Sequence, residues 1–295
     1  MRLKHYLVDQ NIQEAVTYSF VDPVLQGLLC DEGEGIRLAN PIASNLAEMR
    51  RSMIPGLIAA VRHNVNRQAT RVHLFETGQC FIKRGDLLDQ SERIGVVLYG
   101  EYGPLYLDEN RAVDFFDIKG IVETLSQLNG GEVFNWSVAT HPALAPGQTA
   151  AVRLNGELQG YVGRLHPRLA RELNLPKPLF FADLALDSIL AGQVTAFNKI
   201  SRYPKVVRDL AVVVDDEISW KNIVDSVASL SDSRIQNVRL FDVYRGSGVP
   251  EGRQSIAFSL SLQSFDKTLD DAVIQELVDR VVRILSEQVG GELRG

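Results

Sequence analysis

The sequence predicts an α+β chain of two domains, the second built in the order βαββαβ, and three observations carry this. Asn155-Gly156 lies between the apolar runs 150–154 and 158–162, and Asn-Gly accepts positive φ at both turn positions, so a tight antiparallel hairpin is expected. Ile256, Phe258, Leu260 and Leu262 alternate with Ser255, Ala257, Ser259 and Ser261, the period of a strand with one buried face. Residues 270–289 carry Ile274, Leu277, Val278, Val281 and Leu285 as one helical stripe that stops at Gly290-Gly291. Hairpins and amphipathic helices in irregular order favour α+β over a doubly wound parallel sheet.

The elements of the first domain follow in order. Pro55 suits the first turn of a helix, where its missing N–H is not needed, and Leu57, Ile58, Val61 and Val65 share the face away from Arg62, His63, Asn66 and Arg67. Residues 72–82 read as a strand interrupted at Gly78, which suggests a bulge or a close backbone approach. A polar loop and a strand over 94–99 come next. Asp114 precedes a helix carrying Ile121, Val122, Leu125 and Leu128 and closed by Asn129-Gly130-Gly131.

Periodicity is lost over residues 186–198, where Gly192, Gln193 and Thr195 cluster, so the expected domains are 1–197 and 198–295. The second domain reads strand 210–215, helix 220–230, strand 238–244, strand 255–263, helix 270–289 and a short last strand. That is the ferredoxin-like order. Thr268 and Asp271 form the expected capping box of the last helix. Alternation predicts Phe241 and Val243 inward, with Asp242, Tyr244 and Ser255 together on an open sheet face.

Composition limits the function. The chain has 295 residues, 45% hydrophobic and 23% charged, with a formal net charge of -6, so any site for a polyanion must be a local basic patch. Cys30 and Cys80 are far apart without His or Cys at metal spacing, which predicts neither zinc nor a disulfide and fits a reducing cytoplasm. Arg2, Lys4, His5, Asp9 and Glu14 break any signal-peptide run, and no stretch is long enough to span a membrane. A cytoplasmic chain with no membrane partner is expected.

An aromatic, a carboxylate and a small hydroxyl on an open sheet suit one unstacked base, with Tyr244 stacking and Asp242 reading a base edge. Around them Arg202, Lys205, Arg208, Arg245, Arg253 and Arg294 could hold phosphates, although each alone also fits solvated decoration. The first domain offers no legible active site. His141-Pro142 and His166-Pro167 read as capping or surface residues, and Glu76, Asp114 and Asp117 as turns and caps.

Arg202-Tyr203-Pro204, Arg208-Asp209-Leu210, the run from Leu240 through Asp242 and Tyr244 to Gly246, and the closing Leu293-Arg294-Gly295 resemble the ferredoxin-fold anticodon-binding domain of bacterial phenylalanyl-tRNA synthetase β subunits. Asn40-Pro41-Ile42, the run from Met49 through Arg50, Arg51 and Pro55 to Leu57, the run Leu74-Phe75-Glu76-Thr77-Gly78 and the run Gly163-Arg164-Leu165-His166-Pro167 resemble the same subunit's catalytic-like module. The resemblance covers nearly the whole chain in order.

It implies a class II synthetase-like antiparallel-sheet module that has lost its activity and packs on a catalytic α subunit in an α2β2 enzyme, followed by the anticodon-binding domain. Class II enzymes hold ATP with an Arg in a Gly-rich strand and helix, and residues 179–186 contain neither glycine nor arginine. Such an arginine is a main electrostatic clamp on the triphosphate. The implied anticodon-binding residues for tRNA(Phe) are Tyr244 for stacking, Asp242 and Ser255 for polar contacts, and Arg294. No catalytic residue, metal or cofactor is expected in this chain, with ATP and magnesium used by the full enzyme. Because the subunits of this family are longer, a C-terminal fragment is expected. Two alternatives stand beside this reading: a self-sufficient ligase, and an amino-acid-binding regulatory module on a degenerate synthetase-like domain.

Overall fold

A computed structural model describes residues 2–30, 33–103, 111–128, 130, 134–190, 197 and 199–294. The chain divides into two compact units, residues 1–195 and 196–295. The segment read as a linker begins with a short helix over Leu186–Leu190, while Gly192, Gln193, Thr195 and Asn198 lie outside the described residues. So do Asn129, Gly131 and Gly295.

The strands of the first unit are β1 (Gln13–Glu14), β2 (Phe20–Val21), β3 (Glu48–Met49), β4 (Val72–Arg84), β5 (Leu87–Tyr99), β6 (Glu101–Tyr102) and β7 (Arg111–Ala112). β8 (Asn135–Val138), β9 (Leu144–Leu154), β10 (Glu157–Leu165) and β11 (Leu179–Ala185) complete them. Among the described residues seven form one sheet, in the order β1-β4-β5-β11-β10-β9-β8, with only the β1–β4 pair parallel. Helices α1 (Arg2–Asp9), α2 (Pro23–Leu29), α3 (Ile54–Val65), α4 (Phe115–Gln127), α5 (Pro167–Glu172) and α6 (Leu186–Leu190) accompany it.

Two cores follow from this layering. Leu57, Ile58 and Val61 of α3 pack with Leu74, Val97 and Phe181, whereas Ile118, Ile121, Val122 and Leu125 of α4 pack with Phe75, Val96 and Phe180. Neighbours in one strand, such as Phe180 and Phe181, feed opposite cores, as the two-residue strand period requires. β11 is buried along both faces for this reason.

The expected turns and caps are in place. Asn155 (φ 51°) and Gly156 (φ 84°) connect β9 to β10. Asp114 and Asp117 form a reciprocal capping box on α4, and Asp117 also pairs with Arg111 at 2.5 Å. Nδ1 of His166 accepts from Arg168 N–H at 3.1 Å, and Nδ1 of His141 accepts from Ala143 N–H at 3.2 Å. Two expectations are corrected here. β4 pairs with β5 without a bulge at Gly78; the glycine is needed because a Cβ there would strike the Arg50 guanidinium. The polar residues before Ile94 are strand rather than loop, since Leu87–Tyr99 pairs with all of β4 and its first part is solvated on both faces.

The second unit contains β12 (Val206–Asp215), α7 (Trp220–Ala228), β13 (Ile235–Tyr244), β14 (Arg253–Leu262), α8 (Asp271–Val289) and β15 (Glu292–Leu293). Sheet order is β13-β14-β12-β15, all antiparallel. Val212, Val214, Ile256, Phe258, Leu260 and Leu262 meet Ile223, Val227, Ile274, Leu277, Val281 and Leu285 in one core. The helices cover one sheet face only. α8 starts at Asp270, whose carboxylate accepts from Val273 N–H at 2.9 Å, so the cap is this residue and not the pair Thr268 and Asp271. Gly290 (φ 62°) ends it in the left-handed conformation that favours glycine.

Asp232 ties the start of β13 to α8, accepting from Arg234 Nη2 at 2.6 Å and Arg280 Nη1 at 2.8 Å. The Arg234 hydrogen bond, with Arg280 assisting, holds the Asp232 carboxyl far below the usual carboxylate range. Because the folded pKa is depressed, the stabilisation is fully present above the unfolded value of about 4 and is lost as pH falls below it. Asp232→Asn should therefore be less stable than wild type at pH 7, with the gap in urea midpoint narrowing progressively below about pH 4. A gap constant down to acid would show that the carboxylate charge does not contribute.

Candidate nucleic-acid interface

The uncovered face of the second sheet is set by register. Tyr244, Ser255, Val213 and Glu292 make one cross-strand row. Asp242, Ala257 and Ala211 make the next, and Arg294 ends it by donating its N–H to the Ala211 carbonyl at 2.8 Å. Arg239, Ser259 and Asp209 form the third, with the Ser259 hydroxyl donating to Asp209 at 2.7 Å. The structure thus brings Asp242, Tyr244, Ser255 and Arg294 together in two adjacent rows.

Tyr244 is 38% exposed and its hydroxyl donates to the Ser247 carbonyl at 3.2 Å. Gly246 (φ 158°) makes this possible, since a Cβ there would sit 2.9 Å from the tyrosine oxygen. The Arg294 guanidinium lies 5.3 Å from the Tyr244 ring centre. Its backbone lies at the opposite edge of the sheet, and the small residues Ala211 and Ala257 stand in the row between it and Asp242. Ser255 is only 2% exposed, so in this conformation its hydroxyl lies beneath its neighbours. Asp242 is exposed.

One inward assignment is corrected. β13 is irregular between Leu240 and Asp242, so Leu240 pairs with Phe258 and Asp242 with Ala257, and Phe241 is the additional residue of a bulge. Leu240 packs into the core in its place, and Phe241 is 56% exposed. Val243 pairs with core-facing Ile256, yet it stands on the edge strand and remains 46% exposed.

The surrounding cations differ in how they are held. Arg253 is a fastener: it donates to the carbonyls of Val213 (3.1 Å) and Gly290 (3.0 Å) and to Glu292 (2.8 Å), linking three strands and the end of α8. Arg245 donates to buried Gln254 at 2.9 Å and lies 3.4 Å from Asp216. Arg208 pairs in register with core-facing Leu260 and sits 3.9 Å from Asp271, which puts it on the helix side. Arg202 and Lys205 are exposed ahead of β12. Arg239, on the open face, was missed by reasoning from the motif alone; its place between inward Val238 and Leu240 was the available signal.

The first unit has a cleft at the middle of its sheet, lined by Arg51, Ser52, Arg93, His141, Tyr161 and Asp183, with a volume of about 50 Å³. Small-molecule sites are usually about 300–1,000 Å³. Asp183 occupies it, accepting from Arg93 Nε at 2.8 Å and from the Ser52 hydroxyl. Burial pushes the nearby Cys80 thiol well up, which disfavours the reactive thiolate. Glu76, read from the sequence as a turn residue, is instead a buried ion-pair partner of Arg50 at 2.8 Å.

The first unit is thus a mostly antiparallel sheet with a small central cleft, and the second a ferredoxin-like domain with one open face. A family model described as the phenylalanyl tRNA synthetase beta chain CLM domain matches residues 1–186, and one described as the ferredoxin-fold anticodon binding domain matches residues 201–294. The chain belongs to the phenylalanyl-tRNA synthetase beta chain family. It is 40% identical to the phenylalanine–tRNA ligase beta subunit of Hahella chejuensis over 294 residues, 99% of this chain and 37% of that protein. The corresponding subunit of Pseudomonas putida is 37% identical over the same length. The chain therefore spans a little over a third of the curated relatives it matches. A pyrrolysyl tRNA synthetase of Desulfitobacterium hafniense shares the fold, with a TM-score of 0.50 at 14% identity over 64% of this chain and 63% of that one. Among the described residues no helix is long and apolar enough to cross a membrane.

Proposed function

We propose that residues 198–295 bind the anticodon of tRNA(Phe), and that residues 1–197 are a catalytically inactive synthetase-like module packing on the catalytic α subunit of an α2β2 phenylalanine–tRNA ligase in the cytoplasm. The observation that carries this reading is the placement of Tyr244 and Asp242 in adjacent rows of a sheet face that no helix covers among the described residues. An aromatic ring can stack any base, and a carboxylate beside it can accept from a base edge. Arg294 already lies over the ring, so the base either shares the stack or takes its place. Ser255, buried in this conformation, must become more accessible to serve as a polar base contact. Arg202 and Lys205, with Arg208, Arg245 and Arg253 at the rim, are assigned to the phosphates or to holding the face in shape.

The central cleft of the first unit does not suit the ATP that aminoacylation uses. The first unit's cleft is small and carries a carboxylate already bound by Arg93 and Ser52, and no group of three or more His, Cys, Asp or Glu is placed to hold a metal ion among the described residues. We assign ATP and magnesium to the α subunit.

Tyr244→Ala should weaken binding of a hairpin carrying the tRNA(Phe) anticodon by about 1–3 kcal/mol, measured by fluorescence anisotropy with the chain assembled with the α subunit. Unchanged binding would remove Tyr244 from the interface. Tight calorimetric binding of free phenylalanine to residues 198–295, with RNA affinity untouched, would replace the reading with an amino-acid sensor.

A further inference from the structure

We infer that Arg239 is a phosphate-binding residue of the open sheet face, gripping the RNA backbone beside the base that Tyr244 stacks; this rests on the anticodon-binding reading. Val238 and Leu240 pack into the core, so Arg239 between them stands on the opposite face. Its pairing with Ser259 puts it in the third row, two rows from Tyr244 and Ser255. Each row is two residues along β14, so the two side chains start about 14 Å apart. An unstacked single strand can span that interval, and the long arginine side chain shortens it.

Its neighbours single it out. Arg234 and Arg280 share Asp232, Arg253 is held by two carbonyls and Glu292, Arg245 by Gln254, and Arg294 lies over Tyr244. Arg239 is exposed and makes no hydrogen bond or ion pair among the described residues. The acid in its own row, Asp209, is two strands away and engaged by Ser259. Asp242, in the next row, repels a phosphate, which directs the backbone toward Arg239 and leaves the carboxylate to the base edge. A planar guanidinium suits two phosphate oxygens at once.

The test is the salt dependence of binding between the chain, assembled with the α subunit, and an RNA hairpin carrying the tRNA(Phe) anticodon. Arg239→Gln should weaken binding about three- to tenfold at low salt and reduce the slope of log affinity against log salt by about 0.7, the value for one single-strand phosphate contact. Discrimination against a hairpin altered at the first anticodon base should not change, and Arg239→Lys should restore most of the slope. Unchanged affinity and slope in Arg239→Gln, with Tyr244→Ala still weakening binding, would overturn the phosphate assignment and leave the base platform standing. Weaker binding with an unchanged slope would also overturn it. If Arg239→Gln instead promotes self-association with RNA affinity intact, the residue guards the edge strand and is not a ligand. Loss in neither variant would remove the platform itself.

Discussion

Arg50→Ala is expected to destabilise the first unit by about 3–5 kcal/mol, the usual result of removing one partner from a buried ion pair. Arg50 and Glu76 have side chains only 6% and 4% exposed and meet at 2.8 Å. Glu76 also accepts from the Thr17 backbone at 3.1 Å and the Thr17 hydroxyl at 2.8 Å, while Arg50 donates to the Gln79 carbonyl at 2.9 Å. Removing the guanidinium leaves a carboxylate in a site with too few donors, and the space beside Gly78 empties. The double variant Arg50→Met with Glu76→Leu should be closer to wild type than Arg50→Ala, because no charge is then left buried alone. Urea unfolding followed by Trp136 fluorescence in a Trp220→Phe background isolates this unit, as the chain has only two tryptophans. A loss below about 1 kcal/mol for Arg50→Ala would place the pair among weak surface bridges.

Phe258→Ala should destabilise the second unit by a similar about 3–5 kcal/mol. The ring is fully buried at the centre of β14, between the helices and the sheet, and packs 5.8 Å from Trp220. Its loss removes apolar contact area and opens a cavity that strands on both sides resist collapsing. Trp220 fluorescence should report both the lower urea midpoint and a redder native emission. Phe258→Leu, which keeps most of the volume, should lose less than half as much. If the two variants are equally destabilised, ring packing rather than cavity volume sets the cost. Tyr244 and Asp242 lie on the other face, so RNA affinity of the folded fraction should survive Phe258→Leu.

Much of the site was legible because it sits on regular strands. Alternation alone puts Asp242 and Tyr244 on one face and Phe258 on the other, and the register pairs Tyr244 with Ser255. The bulge was not legible: one additional residue at Phe241 changes which side chain points inward, and nothing in the run from Leu240 to Tyr244 marks it. Nor was the burial of Ser255, which shares its sheet face with exposed Asp242 and Tyr244.

The fold class, the Asn155-Gly156 hairpin and the stripes of α3, α4 and α8 were determined by the sequence alone, since turns and helix stripes are short-range consequences of backbone sterics and side-chain period. The tertiary structure decided which polar groups are spent on holding the fold. Glu76 reads as a turn residue until Arg50 arrives from 26 positions away. Arg253 reads as a phosphate ligand until Val213, Gly290 and Glu292 converge on it. A charge is recognised by its residue type, but whether it is available depends on partners distant in sequence, and only the folded chain brings those within hydrogen-bonding reach.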